Sequence, residues 1–376
     1  MSNYYYSMIG RLLDGRTPVS STGYYMLDEE GQVSYSTTRP EVEVTTLADF
    51  TDALVEGCQR KIQEFAGSAD NHEVYAFNLY TDDHRGLYVY MNTESCFKET
   101  LSSYQSDNPD YNDRDHIIQL KYSQGDFDFQ FWFEGTDGPA RHIDNFGKIA
   151  SAVSYDSREN FEEAVIGAPV AAIESGVIEN GYFVCVLRAV QQLIADHAFD
   201  VLNTTSDFIA FATSGNDYTD YNITMRKTID KDLFYQVFPD VKESDAKLEE
   251  AMKDNENLSL AESIAYWSDA IDRESLEFEP YSFMKPFMEI FVQLSHFGNE
   301  LAQESIERLT EIAAGSQGFD QEAYNKMSFY LEALHFSGTL TPEQAEQCRV
   351  IANRLEEADK ELFQADADDL RAMLSS

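Results

Sequence analysis

Two carboxylates beside an imidazole, Asp82-Asp83-His84, are the first residues whose types would allow proton transfer or metal binding. A metal needs side chains that converge, and neighbours along a strand point to opposite faces. The triplet also lies between two apolar runs, "EVYAFNLY" and "LYVYMN". That setting predicts a hairpin corner in which aspartate oxygens accept backbone hydrogen bonds and Gly86 supplies a positive φ. A second cluster, Asp113, Asp115 and His116 in "NDRDH", offers oxygen ligands for a hard cation. It lacks the glycine and the distal glutamate of an EF-hand loop, and a solvated loop is expected. Ser214 in "ATSGND" follows an apolar run as a serine nucleophile would, but no G-x-S-x-G motif surrounds it. The zinc-protease, phosphate-loop and dinucleotide-loop motifs are all absent from the sequence. The reading is a protein that is no enzyme and takes neither cofactor nor metal. The alternative is a metal-assisted hydrolase using the Asp/His-rich loops at 82–84 and 113–116.

Charge narrows the class of partner. The 376 residues carry 68 acidic and 27 basic side chains, a formal net charge of -41. Residues 1–240 and residues 241–376 are both strongly anionic by count. Such an exterior repels phosphate backbones and anionic lipid, so neither nucleic acid nor a membrane is the expected partner. It attracts basic protein and speeds the encounter, although the same charge also serves solubility. A composition that is 43% hydrophobic and 13% aromatic belongs to a folded chain. Cys58, Cys96, Cys185 and Cys348 lie far apart with no C-x-x-C pair, which reads as reduced thiols. The N-terminus has no basic region followed by an apolar core, and no run approaches ~18 apolar residues. A cytoplasmic protein is expected.

The elements that must position these residues follow from periodicity. "TGYYML" and "QVSYST" flank the turn "DEEG" as a hairpin. Phe50, Leu54, Cys58, Ile62 and Phe65 have helical spacing, with Thr46 and Asp49 at the cap and Gly67 at the stop. Strands Val74–Tyr80 and Leu87–Met91 follow, and Asn92 or Thr93 caps a helix through "CFKETLSSY". In "GDFDFQFWFEG" the residues Phe127, Phe129, Phe131 and Phe133 alternate with Asp126, Asp128, Gln130 and Trp132, predicting a strand of an antiparallel sheet with one covered face. Helices are expected over Glu159–Glu174 and Tyr182–Phe199, then a strand in "DFIAFATSG". "NDYTDYNITMR" reads as a turn and short strand, and a last helical turn ends near Pro239. From Val241 only helical patterns remain: Lys242–Lys253, Leu260–Arg273, Phe287–Phe297, Glu300–Ala313, Gln321–Leu334 and Pro342–Glu357. Thr341, Pro342 and Gln344 form a capping box, and Pro286 should start or kink its helix. His296 and His335 fall near helix C-termini, where a cation favours the dipole. The architecture expected is α+β, an antiparallel sheet with packed helices in residues 1–240, followed by an all-α helical-hairpin domain in 241–376.

The order helix, "HEVYAFNLYTDDHRGLYVYMNTES", aromatic strand, long helix and "DFIAFATSGND" resembles the bacterial domain-of-unknown-function family 4303. The resemblance rests on "YAFNLYTDD" and "MNTES" and covers residues ~45–240. It implies no catalytic residues. By analogy of context it implies an immunity protein of the kind that accompanies contact-dependent or type VI secretion toxins. The expected function is therefore that of a toxin-antitoxin partner, an acidic binding protein that covers the basic cleft of a toxic effector such as a nuclease. Asp82, Asp83, Asp126 and Asp128 on the sheet are the expected partner-binding residues, with Trp132 as an aromatic anchor. A housekeeping adaptor that docks proteins through its helical half is the further alternative.

Overall fold

A computed structural model describes residues 9–82, 84–136, 138–154, 170–215, 223–272, 288–314, 321–358 and 360–373. The chain divides into two compact units, Arg11–Pro239 and Asp240–Ser376 with Met1–Gly10.

The first unit is α+β and holds two four-stranded sheets. In the first sheet, β1 (Tyr24–Leu27) pairs antiparallel with β2 (Val33–Ser36), as the hairpin pattern predicts. Its other strands are β3 (Val44–Thr45) and β7 (Ala171–Glu174), in the order β2-β1-β7-β3. The second sheet has the order β6-β5-β4-β8, with β4 Val74–Thr81, β5 Leu87–Thr93, β6 Phe129–Trp132 and β8 Thr204–Thr213. Both sheets are mixed rather than antiparallel throughout. β3 runs parallel to β7, and β4 runs parallel to β8. A parallel pair needs a long crossover, and periodicity within a strand carries no trace of one.

Helix α1 (Leu47–Ala66) begins with the predicted box: Asp49 N–H donates to the Thr46 hydroxyl, and Thr46 N–H donates to the Asp49 carboxylate. Burial opposes ionisation of Asp49, but the Thr46 hydroxyl and N–H both donate to its carboxylate and hold it below its ordinary range. The apolar stripe of α1 is buried, and Phe65 meets Phe129 and Phe131 of β6 at ring distances of 4.9 and 6.2 Å. α2 (Glu94–Asp107) is capped by the Thr93 hydroxyl, which accepts from Cys96 N–H. α3 (Arg114–Lys121) forms where a polar loop was expected, with Asp113 as its N-cap. α4 (Ala140–Ser154) was not foreseen; Phe146 on it packs 4.6 Å from Phe50 of α1. α5 (Tyr182–Ala195) is buried nearly all round and packs on α1, β4 and β8. Short helices α6 (Met225–Thr228) and α7 (Lys231–Val237) complete the unit.

Three expectations are corrected. Ala171–Glu174 is strand, not the end of a helix, because pairing with β1 on one side and β3 on the other outweighs alanine's helical preference. The rest of that expected helix, residues 159–169, lies outside the described residues. The aromatic strand is only Phe129–Trp132, since Gln124–Asp126 closes a tight helical turn before it. At the end of "NDYTDYNITMR", where a turn and short strand were expected, Met225 and Arg226 begin the helix Met225–Thr228, held by Ile229 N–H donating to Met225 C=O, and residues 216–222 lie outside the described residues.

The second unit is helical among its described residues. It contains α8 (Pro239–Asn255), α9 (Leu260–Asp272), α10 (Met288–Leu294), α11 (Asn299–Ala314), α12 (Gln321–Phe336), α13 (Pro342–Ala358) and α14 (Lys360–Met373). α14 extends the expected series. α11 packs on α12 and α13 on α14, around Ile306, Leu331, Cys348, Ile351 and Phe363. The Thr341 box is present, with Thr341 N–H donating to Gln344 Oε1 at 2.9 Å and Gln344 N–H to Thr341 Oγ1 at 3.3 Å. Pro286 lies outside the described residues. His335 cannot act as the expected cation, because burial pushes its imidazole down to about 3. Cys58, Cys185 and Cys348 are buried free thiols, and Cys96 is a partly buried one. Among the described residues no helix is long and apolar enough to cross a membrane.

Candidate partner-binding face

The second sheet has two unlike faces. Register sets Phe77, Leu79, Val89, Met91, Phe129 and Phe131 on one of them, and this face is the core against α1 and α5. On the opposite face one row runs Thr213, Tyr80, Tyr88, Trp132, and the next runs Phe211, Asn78, Tyr90, Gln130. The first row crosses all four strands. Its rings touch one another and Tyr90 of the next row, edge to face or tilted: Tyr80–Tyr88 at 6.0 Å, Tyr80–Tyr90 at 5.9 Å, Tyr88–Tyr90 at 6.1 Å and Tyr88–Trp132 at 6.3 Å. Burial falls along it, from buried Thr213 through half-buried Tyr80 and Tyr88 to Trp132, which is 55% exposed.

Buried hydrogen bonds set the deep end of this face. Thr213 Oγ1 donates to Asn78 Oδ1 at 3.0 Å, and Asn78 Nδ2 donates to Phe211 C=O at 3.3 Å. The pair links the parallel strands β4 and β8 through side chains as well as the ladder. At the other end of the strands the bulge between Val74 and Ala76 displaces Tyr75, whose hydroxyl donates to Lys121 C=O at 2.8 Å and accepts from Asn92 Nδ2 at 3.1 Å. Tyr75 also meets Phe97 of α2 and Tyr122, so helices close that end. Among the described residues the tyrosine–tryptophan end is the open one, with Trp132 exposed at its edge.

Asp82 borders the open end. Its Oδ1 accepts from Gly86 N–H at 2.8 Å, its Oδ2 accepts from the Tyr80 hydroxyl at 3.3 Å, and its C=O accepts from Arg85 N–H at 2.8 Å. The corner is thus a side-chain-stabilised turn, but the positive φ belongs to Arg85 (62°), not Gly86. Gly86 is needed for space: a Cβ there would lie 2.8 Å from the Tyr88 ring. Gly215, at φ +69°, closes over the same corner, and its Cβ would lie 3.0 Å from the Tyr80 hydroxyl. Burial, then Tyr88 and Asp82, raises the Tyr90 phenol above its ordinary value.

The expected contact residues divide. Trp132 and Asp82 come together on this face, joined through Tyr88 and Tyr80. Asp83 lies outside the described residues. Asp126 is not on the strand. It sits in the preceding turn, where it accepts from the Tyr104 hydroxyl at 2.6 Å and the Ser123 hydroxyl at 2.9 Å, and the first contact raises the Tyr104 phenol. Asp126 therefore ties α2 to the approach of β6. Asp128 is exposed one residue before β6, and desolvation, then Glu99, raises its carboxyl. Tyr80, Tyr88 and Tyr90 were missed, although the alternation of "LYVYM" places two of them on one face.

Two of the carboxylates considered for a metal, Asp82 and Asp113, accept from backbone N–H groups. Asp113 Oδ1 accepts from Asp115 N–H at 2.9 Å and lies 3.4 Å from His116 Nδ1, contacts that hold its carboxyl below the ordinary range. Among the described residues no three His, Cys, Asp or Glu side chains are grouped to hold a metal ion.

Neither the curated proteins nor the solved structures compared with this chain include a match. Residues 56–229, which carry β4 through β8 and so every residue of the aromatic face, match the family model described as Domain of unknown function (DUF4303), the family that "YAFNLYTDD" and "MNTES" resemble.

Proposed function

We propose that this protein acts by binding another polypeptide, a basic one, through the Tyr80–Tyr88–Trp132 face bordered by Asp82. The observation that carries the reading is Trp132, a large aromatic left 55% exposed at the end of a packed row of tyrosines. Exposed tryptophan and tyrosine on a rigid sheet supply contact area at little entropic cost, and such residues dominate binding energy where they become buried. The net charge of -41 supplies the encounter with a basic partner.

The most concrete form of the proposal is an immunity-type protein of a bacterial toxin-antitoxin pair, one that neutralises a toxic effector by occupying its basic active site. A nuclease has such a site, since it must hold phosphate. Support comes from the family resemblance, the charge and the use of candidate catalytic carboxylates as turn and cap acceptors. The protein itself makes or breaks no covalent bond in this account. The test is affinity for the polypeptide retained from its native cell, measured for the wild type and for Trp132→Ala. The reading requires loss of affinity in a variant that stays folded, and equal affinity removes the face from the account.

A further inference from the structure

Among the described residues the aromatic face ends on an open strand edge, where β6 is the last strand of its sheet and pairs only with β5. Among the described residues, the backbone groups of Phe129–Trp132 make no backbone hydrogen bond outside that pairing. The opposite edge differs, because β8 is packed by α5, α6 and α7. Natural proteins protect open edges with proline, inward-pointing charge or a covering element. β6 has neither of the first two: its sequence is Phe-Gln-Phe-Trp, with both phenylalanines turned to the core face.

Charge frames this edge. Asp128 precedes the strand and Glu134 follows it, both exposed. A second copy of this chain docking edge to edge would bring these carboxylates together within two bodies of net charge -41 each. Like charges directly opposed across strands are destabilising. A lysine- or arginine-bearing strand meets the opposite situation, with a cation available for each flanking acid and Trp132 to cover an apolar side chain.

We propose that β6 accepts an extended, basic segment of the partner as a fifth strand, so that recognition is main-chain pairing along Phe129–Trp132 with Trp132 as the side-chain anchor. This deepens the binding reading above and rests on it. Main-chain pairing gives affinity, and the pockets beside alternate side chains give selectivity.

The experiment uses the full chain and three probes of about ten residues: an alternating Lys-Val peptide, its Glu-Val counterpart, and the Lys-Val peptide N-methylated at every peptide nitrogen. N-methylation keeps the charge and removes the ladder donors. Affinity is titrated for each, and amide hydrogen exchange is followed at residues 129–132. The expected result is binding of the Lys-Val peptide about tenfold or more tighter than either control, with exchange at 129–132 slowed by a similar factor. Equal affinity of the methylated and unmethylated peptides, or unchanged exchange at β6, overturns strand addition. If the affinities are equal yet Trp132→Ala still weakens both, strand addition alone has failed and the aromatic face stands. If Trp132→Ala changes no affinity, the underlying reading has failed.

Discussion

Tyr88 and Trp132 sit directly opposite each other across β5 and β6, their rings 6.3 Å apart and 77° from parallel. The contact holds Trp132 upright on an edge strand while more than half its surface stays in water. Trp132→Ala should leave thermal stability almost unchanged, within about 1 kcal/mol, because little burial is lost. The same change should weaken partner binding by about 30-fold or more, the scale of a central aromatic anchor. Denaturant unfolding and calorimetric titration of one preparation check both halves.

Gly215 fixes the other end of the row. Its φ is +69°, and a Cβ added there would lie 3.0 Å from the Tyr80 hydroxyl, so Gly215→Ala carries both backbone strain and a clash. It should cost about 1–3 kcal/mol and shift Tyr80 away from Asp82. Unfolding measurements read the cost, and a lowered affinity reads the shift.

Tyr75 offers the control, being fully buried away from the open end. Tyr75→Phe removes a hydroxyl that donates to Lys121 C=O and accepts from Asn92. Stability should fall by about 1–2 kcal/mol, as for a buried bond with a partner left unsatisfied. Affinity at saturating folded protein should not change, which titration well below the melting temperature would show.

Asp366 of α14 is only 2% exposed, and burial raises its carboxyl to about 6. Between its unfolded value and about 6 the folded chain holds the proton more tightly than the unfolded chain. Its contribution to stability is therefore present at low pH and lost as pH rises through about 6. Asp366→Asn should stabilise the helical unit by about 2 kcal/mol at pH 7 and by almost nothing near pH 4, as unfolding midpoints at the two pH values would show.

Local chemistry was legible in the sequence, and long-range pairing was not. The Thr46–Asp49 and Thr341–Gln344 boxes, the β4–β5 hairpin and the alternation at Phe129–Trp132 all depend on residues a few positions apart. β7 depends on β1 and β3, more than a hundred residues earlier, and its Ala-Ala-Ile-Glu sequence has no strand pattern of its own. α4 was missed although Ile143, Phe146, Ile149 and Ala150 are spaced as a helical stripe, because that stripe follows soon after the stronger alternation of "GDFDFQFWFEG". At the site, Trp132 could be placed on the polar face from its parity. The row it completes required the β4–β5–β6 register. The positive φ at Arg85 rather than Gly86 runs against residue preference, and Gly86 is instead fixed by the ring of Tyr88.

Charge-guided capture of a basic partner shows itself in the association rate and its dependence on salt. The polypeptide retained on the wild-type chain from its native cell is purified, and its association and dissociation rates are followed from about 50 to 500 mM NaCl. The association rate should fall by about tenfold or more over that range, and Trp132→Ala should raise the dissociation rate with association little altered. An association rate indifferent to salt, or a dissociation rate untouched by loss of Trp132, would contradict capture through charge and Trp132.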